Sequence, residues 1–195
     1  MTKRQITSED IMDLDAYLVI RKDKRREMSL IKKNRRVEVG PFATFYFESY
    51  ETMWHQVHEM LAIEKGGAEQ VPDELEAYNP LIPQGNELIA TVMFEIDDPL
   101  RRKTVLSRMG GVEQNMYLEV NGERVSGQAE EDVDRTAADG KASSVQFVHF
   151  PLTPSQAGAL KGEGARVIVG IDHQNYSHMA VMAEPTRHAV ANDLD

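Results

Sequence analysis

Residues 87–96, ELIATVMFEI, are the most apolar extended stretch of the chain. A segment of that character is predicted to form the central strand of a sheet. Its flanks are strongly punctuated. Asn79-Pro80-Leu81-Ile82-Pro83-Gln84-Gly85-Asn86 precedes it as a proline-pinned loop, and Asp97-Asp98-Pro99 follows as the N-terminal signal of a helix running through Met109 to Gly110-Gly111.

The remaining elements are arranged around that strand. Ser8-Glu9-Asp10 has the hydroxyl and acids of a helix start. Tyr17, Ile20, Lys24, Met28 and Ile31 then mark a thin apolar stripe on a helix over residues 13–34, which predicts packing on the outside of the domain. Residues 36–39 and 44–48 read as strands around Gly40-Pro41. Met53, Trp54, Val57, Met60 and Leu61 give a helical period over residues 50–64, stopped at Gly66-Gly67. A short helix is expected over residues 73–78. Strands 116–120 and 123–126 flank Asn121-Gly122, a strong hairpin signal. Residues 127–143 read as an exposed loop and 145–150 as a strand. Thr153-Pro154-Ser155-Gln156 forms a capping box for a helix ending near Gly162. Strands 166–171 and 178–182 and a C-terminal helix after Pro185 complete the chain. Hairpins interleaved with helices predict an α+β fold with a mainly antiparallel sheet and peripheral helices, organised as one domain over residues 1–195 with a basic helical arm at 1–34.

The absence of cysteine removes thiol nucleophiles, thiolate-bound zinc, cysteine-held iron–sulfur clusters and dithiol redox pairs. No cofactor is predicted, and a metal would need His, carboxylate or backbone oxygen ligands. No apolar run approaches the ~20 residues that span a bilayer. MTKRQITSED lacks the apolar region of a signal peptide, so a cytoplasmic, membrane-free protein is expected. The net charge of -10 is uneven: residues 1–36 carry 11 Lys/Arg against 6 Asp/Glu, and residues 37–195 carry 11 against 26. A basic arm on an acidic body favours docking within the chain or to a partner. Nucleic-acid binding is disfavoured, because the acidic body repels phosphates.

Four polar groupings are candidate sites. Glu51, His55 and His58, with Glu59 nearby, recur at helical spacing and can converge on a divalent metal with His149 or His173 as a further ligand; the plainer reading is the solvated polar face of an amphipathic helix. Asp172-His173 at a strand end can form an oriented base or a metal ligand, or simply build a tight turn, which is favoured. The loop from Asp132 and Arg135 to Asp139 and Lys141 can cradle an anion, or be a solvated loop with internal ion pairs. Asn79 and Asn86 either fix the proline loop or offer amides to a ligand. No serine stands in a nucleophile elbow, and no glycine-rich phosphate loop follows a strand.

EAYNPLIPQGNELIATVMFEI (76–96), DVDRTAADGKASSVQFVHF (132–150), VGPF (39–42) and VGIDHQNY (169–176) resemble, in order and across nearly the whole chain, the bacterial family of unknown function DUF3501. The resemblance implies one domain and no established catalytic residues. It also implies gene neighbours encoding rubrerythrin, a di-iron peroxide-reducing protein, and an iron–sulfur oxidoreductase subunit, hence a role in redox or oxidative-stress defence. The blocks that carry it contain Asn79, Asn86, Glu87, Asp132, Arg135, Asp139, Lys141, Asp172 and His173, where a shared ligand site is expected. The leading expectation is a non-enzymatic accessory or binding protein whose partner is a rubrerythrin-type or iron–sulfur redox protein. The alternatives are a small enzyme or ligand-binding protein for a polar or anionic molecule, and nucleic-acid binding through the basic helix.

Overall fold

The computed structural model describes residues 3–130 and 141–195. Among these, α1 (Leu14–Lys33) is followed by β1 (Arg36–Val39), β2 (Ala43–Phe47), α2 (Tyr50–Glu64), α3 (Val71–Tyr78) and β3 (Glu87–Phe94). Next come α4 (Pro99–Leu106), β4 (Met116–Val120), β5 (Glu123–Ser126), β6 (Gln128–Ala129) and β7 (Val145–Pro151). The chain continues through α5 (Pro154–Lys161), β8 (Val167–His173), β9 (Tyr176–Val181) and α6 (Glu184–Ala191). The fold is α+β, and its strands form two antiparallel sheets, ordered β1-β2-β3-β7-β6 and β5-β4-β8-β9.

β3 occupies the middle of the five-stranded sheet, with five consecutive buried residues from Leu88 to Val92. Leu88, Ala90, Val92 and Phe94 join Phe45, Phe47, Val148 and Phe150 and meet Met116, Leu118, Val169 and Ile171 of the second sheet. On the opposite face, Ile89 packs with Met53, Val57 and Leu61 of α2 and with Ile6, Leu81 and Ile82. The layers therefore run second sheet, first sheet, α2, and then α1 outside α2. α5 and α6 pack on each other and add Ala157, Leu160, Val190 and Ala191 to the core between the sheets.

Two ties join the sheets. The chain passes from β5 to β6 through Gly127, whose N–H donates to the Met116 carbonyl at 2.8 Å; a Cβ there would lie 2.6 Å from Val148 and 2.9 Å from that carbonyl. The buried Tyr176 hydroxyl accepts from the N–H groups of Phe42 and Ala43, both at 2.9 Å, and donates to the Val39 carbonyl at 2.7 Å. One phenol thus satisfies three backbone groups of the β1–β2 turn from the far sheet.

Several boundaries differ from the sequence expectation for identifiable reasons. The Ser8 signal forms a separate 3-10 turn, Ser8–Asp10, whose Asp10 carboxylate accepts from the Thr7 N–H; α1 begins only after Asp13, which accepts from the N–H groups of Asp15 and Ala16. α3 starts at Val71 because Pro72 fits its first turn. α4 stops at Leu106, whose carbonyl accepts from Met109 and Ala142 instead of continuing the helical ladder. The expected loop after β5 contains β6, paired to β7 at His149 and Val148. Asn121 and Gly122 take φ of 50° and 91°, as their hairpin requires.

The basic arm is packed on the body. Ile6 is buried, its N–H and carbonyl held by the Asn79 carboxamide at 2.8 and 3.0 Å, while Arg4 donates to the carbonyls of Pro83 and Asp193. Among the described residues no helix is long and apolar enough to cross a membrane.

Candidate functional site

α1 rests on α2 through a narrow seam in which only Tyr17 and Met28 of α1 are buried. The Tyr17 hydroxyl donates to Glu59 Oε1 at 2.9 Å and lies 3.3 Å from His55 Nδ1. Arg21 grips both Glu59 oxygens, Nε to Oε1 at 2.9 Å and Nη2 to Oε2 at 3.0 Å. Hydrogen bonding from Arg21 holds the Glu59 carboxyl below its ordinary range, whereas burial pushes the Tyr17 phenol up and the His55 imidazole down.

One helical turn further on, His58 is 2% exposed. Its Nε2 accepts the Met12 N–H at 3.0 Å and its Nδ1 lies 2.7 Å from the Trp54 carbonyl. Because one neighbour is a donor and the other an acceptor, the ring is the neutral Nδ1–H tautomer. Burial lowers its pKa, and the Trp54 ring lies 3.9 Å away, centroid to centroid. Trp54 Nε1 donates in turn to the Asp10 carbonyl at 2.8 Å, so both rings clamp the chain ahead of α1.

Glu51, His55 and His58 consequently do not converge. Glu51 is exposed and accepts from Ser49 Oγ, His55 turns to Tyr17, and both His58 nitrogens serve the backbone. His149 pairs with Glu87 at 3.1 Å on β7 and β3. Among the described residues no three His, Asp or Glu side chains are grouped to hold a metal ion. The reading of this face as solvated is also corrected: the two histidines lie beneath α1, because the thin α1 stripe needs a partner and α2 supplies it.

The family-matching residues have separate local partners. Asn79 pins Ile6, and Asn86 is exposed, its carbonyl accepting the Leu152 N–H at 2.8 Å. Asp172 is exposed and 3.4 Å from Arg124, which stacks on Tyr117. His173 closes the β8–β9 hairpin, with Nε2 facing the Gly110 carbonyl and Nδ1 accepting the Asn175 N–H, both at 3.2 Å. Lys141 lines a concavity of about 360 Å³ with Arg102, Lys103, Ser143 and Ser144. Asp132, Arg135 and Asp139 lie outside the described residues. No hydrogen bond or ion pair joins Asn79, Glu87 and the Asp172–His173 pair to one another.

The outer face of α1 is different. Val19, Lys22, Arg26, Leu30 and Lys33 follow one another at spacings of three and four, a continuous stripe opposite Tyr17 and Met28. Val19 is 84% and Leu30 66% exposed. Lys22, Arg26 and Lys33 have no carboxylate within salt-bridge reach among the described residues. α1 carries seven Lys/Arg against three acids.

A family model described as a protein of unknown function, DUF3501, matches residues 5–194, and the chain belongs to that family. A solved structure similar to it is the crystal structure of a novel protein of unknown function from Burkholderia pseudomallei K96243. The two are 34% identical with a TM-score of 0.91, and the match covers 98% of this chain and 100% of that one. Nothing matches among curated proteins.

Proposed function

We propose that this member of the DUF3501 family is a non-enzymatic binding protein that docks an acidic partner protein on the outer face of α1. The observation that carries the reading is the unpaired cation row on that face, set beside exposed Val19 and Leu30. Net charge supports it as well. The chain as a whole is at -10, so an acidic partner is repelled by the net charge and attracted to the basic α1 face, which orients the encounter. Val19 and Leu30 then supply apolar contact that long-range charge cannot.

Redox proteins are the first partners to test, namely a rubrerythrin-type protein and an iron–sulfur oxidoreductase subunit from the same organism. Each purified partner is titrated against this chain by calorimetry at two salt concentrations, with wild type and with Lys22→Glu/Arg26→Glu. The expected result is binding that weakens with salt and is lost in the charge-reversed variant. No binding to either protein removes the redox assignment, and binding that ignores the reversal removes the α1 face as the docking surface.

A further inference from the structure

The second half of α1, α2 and the β1–β2 hairpin enclose a concavity of about 500 Å³. Arg25, Lys32 and Lys33 of α1 and Arg36 of β1 line it, with Tyr46 on β2 and the buried His55 of α2 completing the wall. Arg36 and Tyr46 are cross-strand partners, alternating with Val37 and Phe45, which point into the core between the sheets. Their side chains therefore share the face of the sheet turned toward the helices.

No carboxylate lines this cleft. The side chains of Lys32, Lys33 and Arg36 make no hydrogen bond or ion pair among the described residues. Arg25 lies 3.8 Å from Glu59, a carboxylate already held by both nitrogens of Arg21. The Tyr46 hydroxyl donates to Glu95 at 2.9 Å, which fixes the phenol ring in the wall. Four cations of like charge gathered around one hollow repel one another, and a multiply charged anion relieves that repulsion.

We infer that this cleft binds a small organic molecule carrying two or more phosphate groups. Guanidinium forks at Arg25 and Arg36 suit phosphate oxygens bidentately, and Lys32 and Lys33 add compact positive charge. Ser29 offers a hydroxyl, while Met28, Leu30 and the Tyr46 ring provide an apolar wall for the organic portion. The volume falls within the roughly 300–1,000 Å³ of small-molecule sites. The site meets the docking stripe only at Leu30 and Lys33: it uses the flank of α1 at Arg25, Ser29 and Lys32, whereas docking also needs Val19, Lys22 and Arg26, which do not line the cleft.

The test is calorimetric titration of the full chain with ADP and with inorganic pyrophosphate in about 0.15 M salt. Wild type, Lys32→Gln/Arg36→Gln and the control Arg102→Gln/Lys103→Gln at the other basic concavity are compared. The substituted side chains lie at the surface, and thermal melting checks that each variant is folded. Both probes are expected to bind wild type and the control alike, and to lose about tenfold or more in affinity with Lys32→Gln/Arg36→Gln, the effect of removing charge-assisted hydrogen bonds. Absence of ADP binding at about 1 mM, or equal binding by the Lys32→Gln/Arg36→Gln variant, overturns the inference. So does a single-stranded oligonucleotide that displaces ADP with affinity rising with its length, which makes the cleft part of a nucleic-acid track. Lys22→Glu/Arg26→Glu retains ADP binding if the two surfaces are separate, so failure of docking and failure of this site are told apart.

Discussion

Replacing His58 with Phe tests the clamp that holds the N-terminal segment on α2. Phe keeps a ring beside Trp54 but removes both nitrogens. The Met12 N–H then loses its acceptor, which costs about 1–3 kcal/mol for a buried donor left unsatisfied. The lost bond to the Trp54 carbonyl adds about 0.5–1.5 kcal/mol, since that carbonyl remains within the α2 ladder. The expected destabilisation is about 2–4 kcal/mol, read as a lower urea midpoint at unchanged slope. The pH dependence is a second readout. Burial lowers the His58 pKa, so below about pH 6.5 the unfolded chain takes up a proton that the folded chain refuses. Stability present above that pH is lost as pH falls toward the depressed folded value, at up to about 1.4 kcal/mol per pH unit for each histidine. His55, lowered by the same cause, contributes in the same direction. Wild type should therefore lose stability more steeply as pH falls below about 6.5 than His58→Phe, in which the His55 contribution remains. Wild-type stability in the variant, or an unchanged pH slope, would refute the tautomer and clamp derived above.

Tyr176→Phe removes the hydroxyl shared by Phe42, Ala43 and Val39 and should cost about 2–4 kcal/mol in chemical denaturation, with the amides of Phe42 and Ala43 exchanging faster by NMR. Glu59→Gln should cost about 1–2 kcal/mol at pH 7. Because Arg21 depresses the Glu59 pKa, that contribution is present above the ordinary carboxyl value and disappears as pH falls through the folded one, so wild type and variant should converge in acid urea melts. Arg35→Met should be the most damaging, about 3–5 kcal/mol, because it strands the buried Asp193 carboxylate and the Phe47 and Glu48 carbonyls; Asp193→Asn, which keeps an acceptor for the guanidinium, should cost less by the same assay.

What could be read from the sequence follows how local its cause is. The Asn121-Gly122 hairpin, the Thr153–Gln156 capping box and the central place of residues 87–94 depend on neighbouring residues, and all three are present. The division into two sheets was not legible, because strand alternation reports which side chains point inward and not which strands pair. His55 and His58 illustrate the same limit for the site. Their spacing was visible, but their burial depends on α1 crossing above them, and only Tyr17 and Met28 signal that contact. Arg36 and Tyr46 could be assigned to the outward face from alternation with Val37 and Phe45. That Lys32 and Lys33 stand across from them is a tertiary fact with no sequence signature.

The two sheets are also interlaced along the chain. The first takes β1, β2 and β3, yields to β4 and β5 of the second, and resumes with β6 and β7 before β8 and β9 complete the other. Neither sheet is a contiguous stretch of polypeptide, and the second cannot be finished until every strand of the first has been made. During synthesis the β4–β5 hairpin must wait, one edge of β4 unpaired, until β8 emerges behind β7 and α5. The pairings that close the structure, β3 with β7 and β4 with β8, are contacts of high sequence separation, the kind that slows folding. A chain interrupted before β8 would present the open side of β4 as a template for pairing with another such chain, so the strand order makes truncation a route to aggregation.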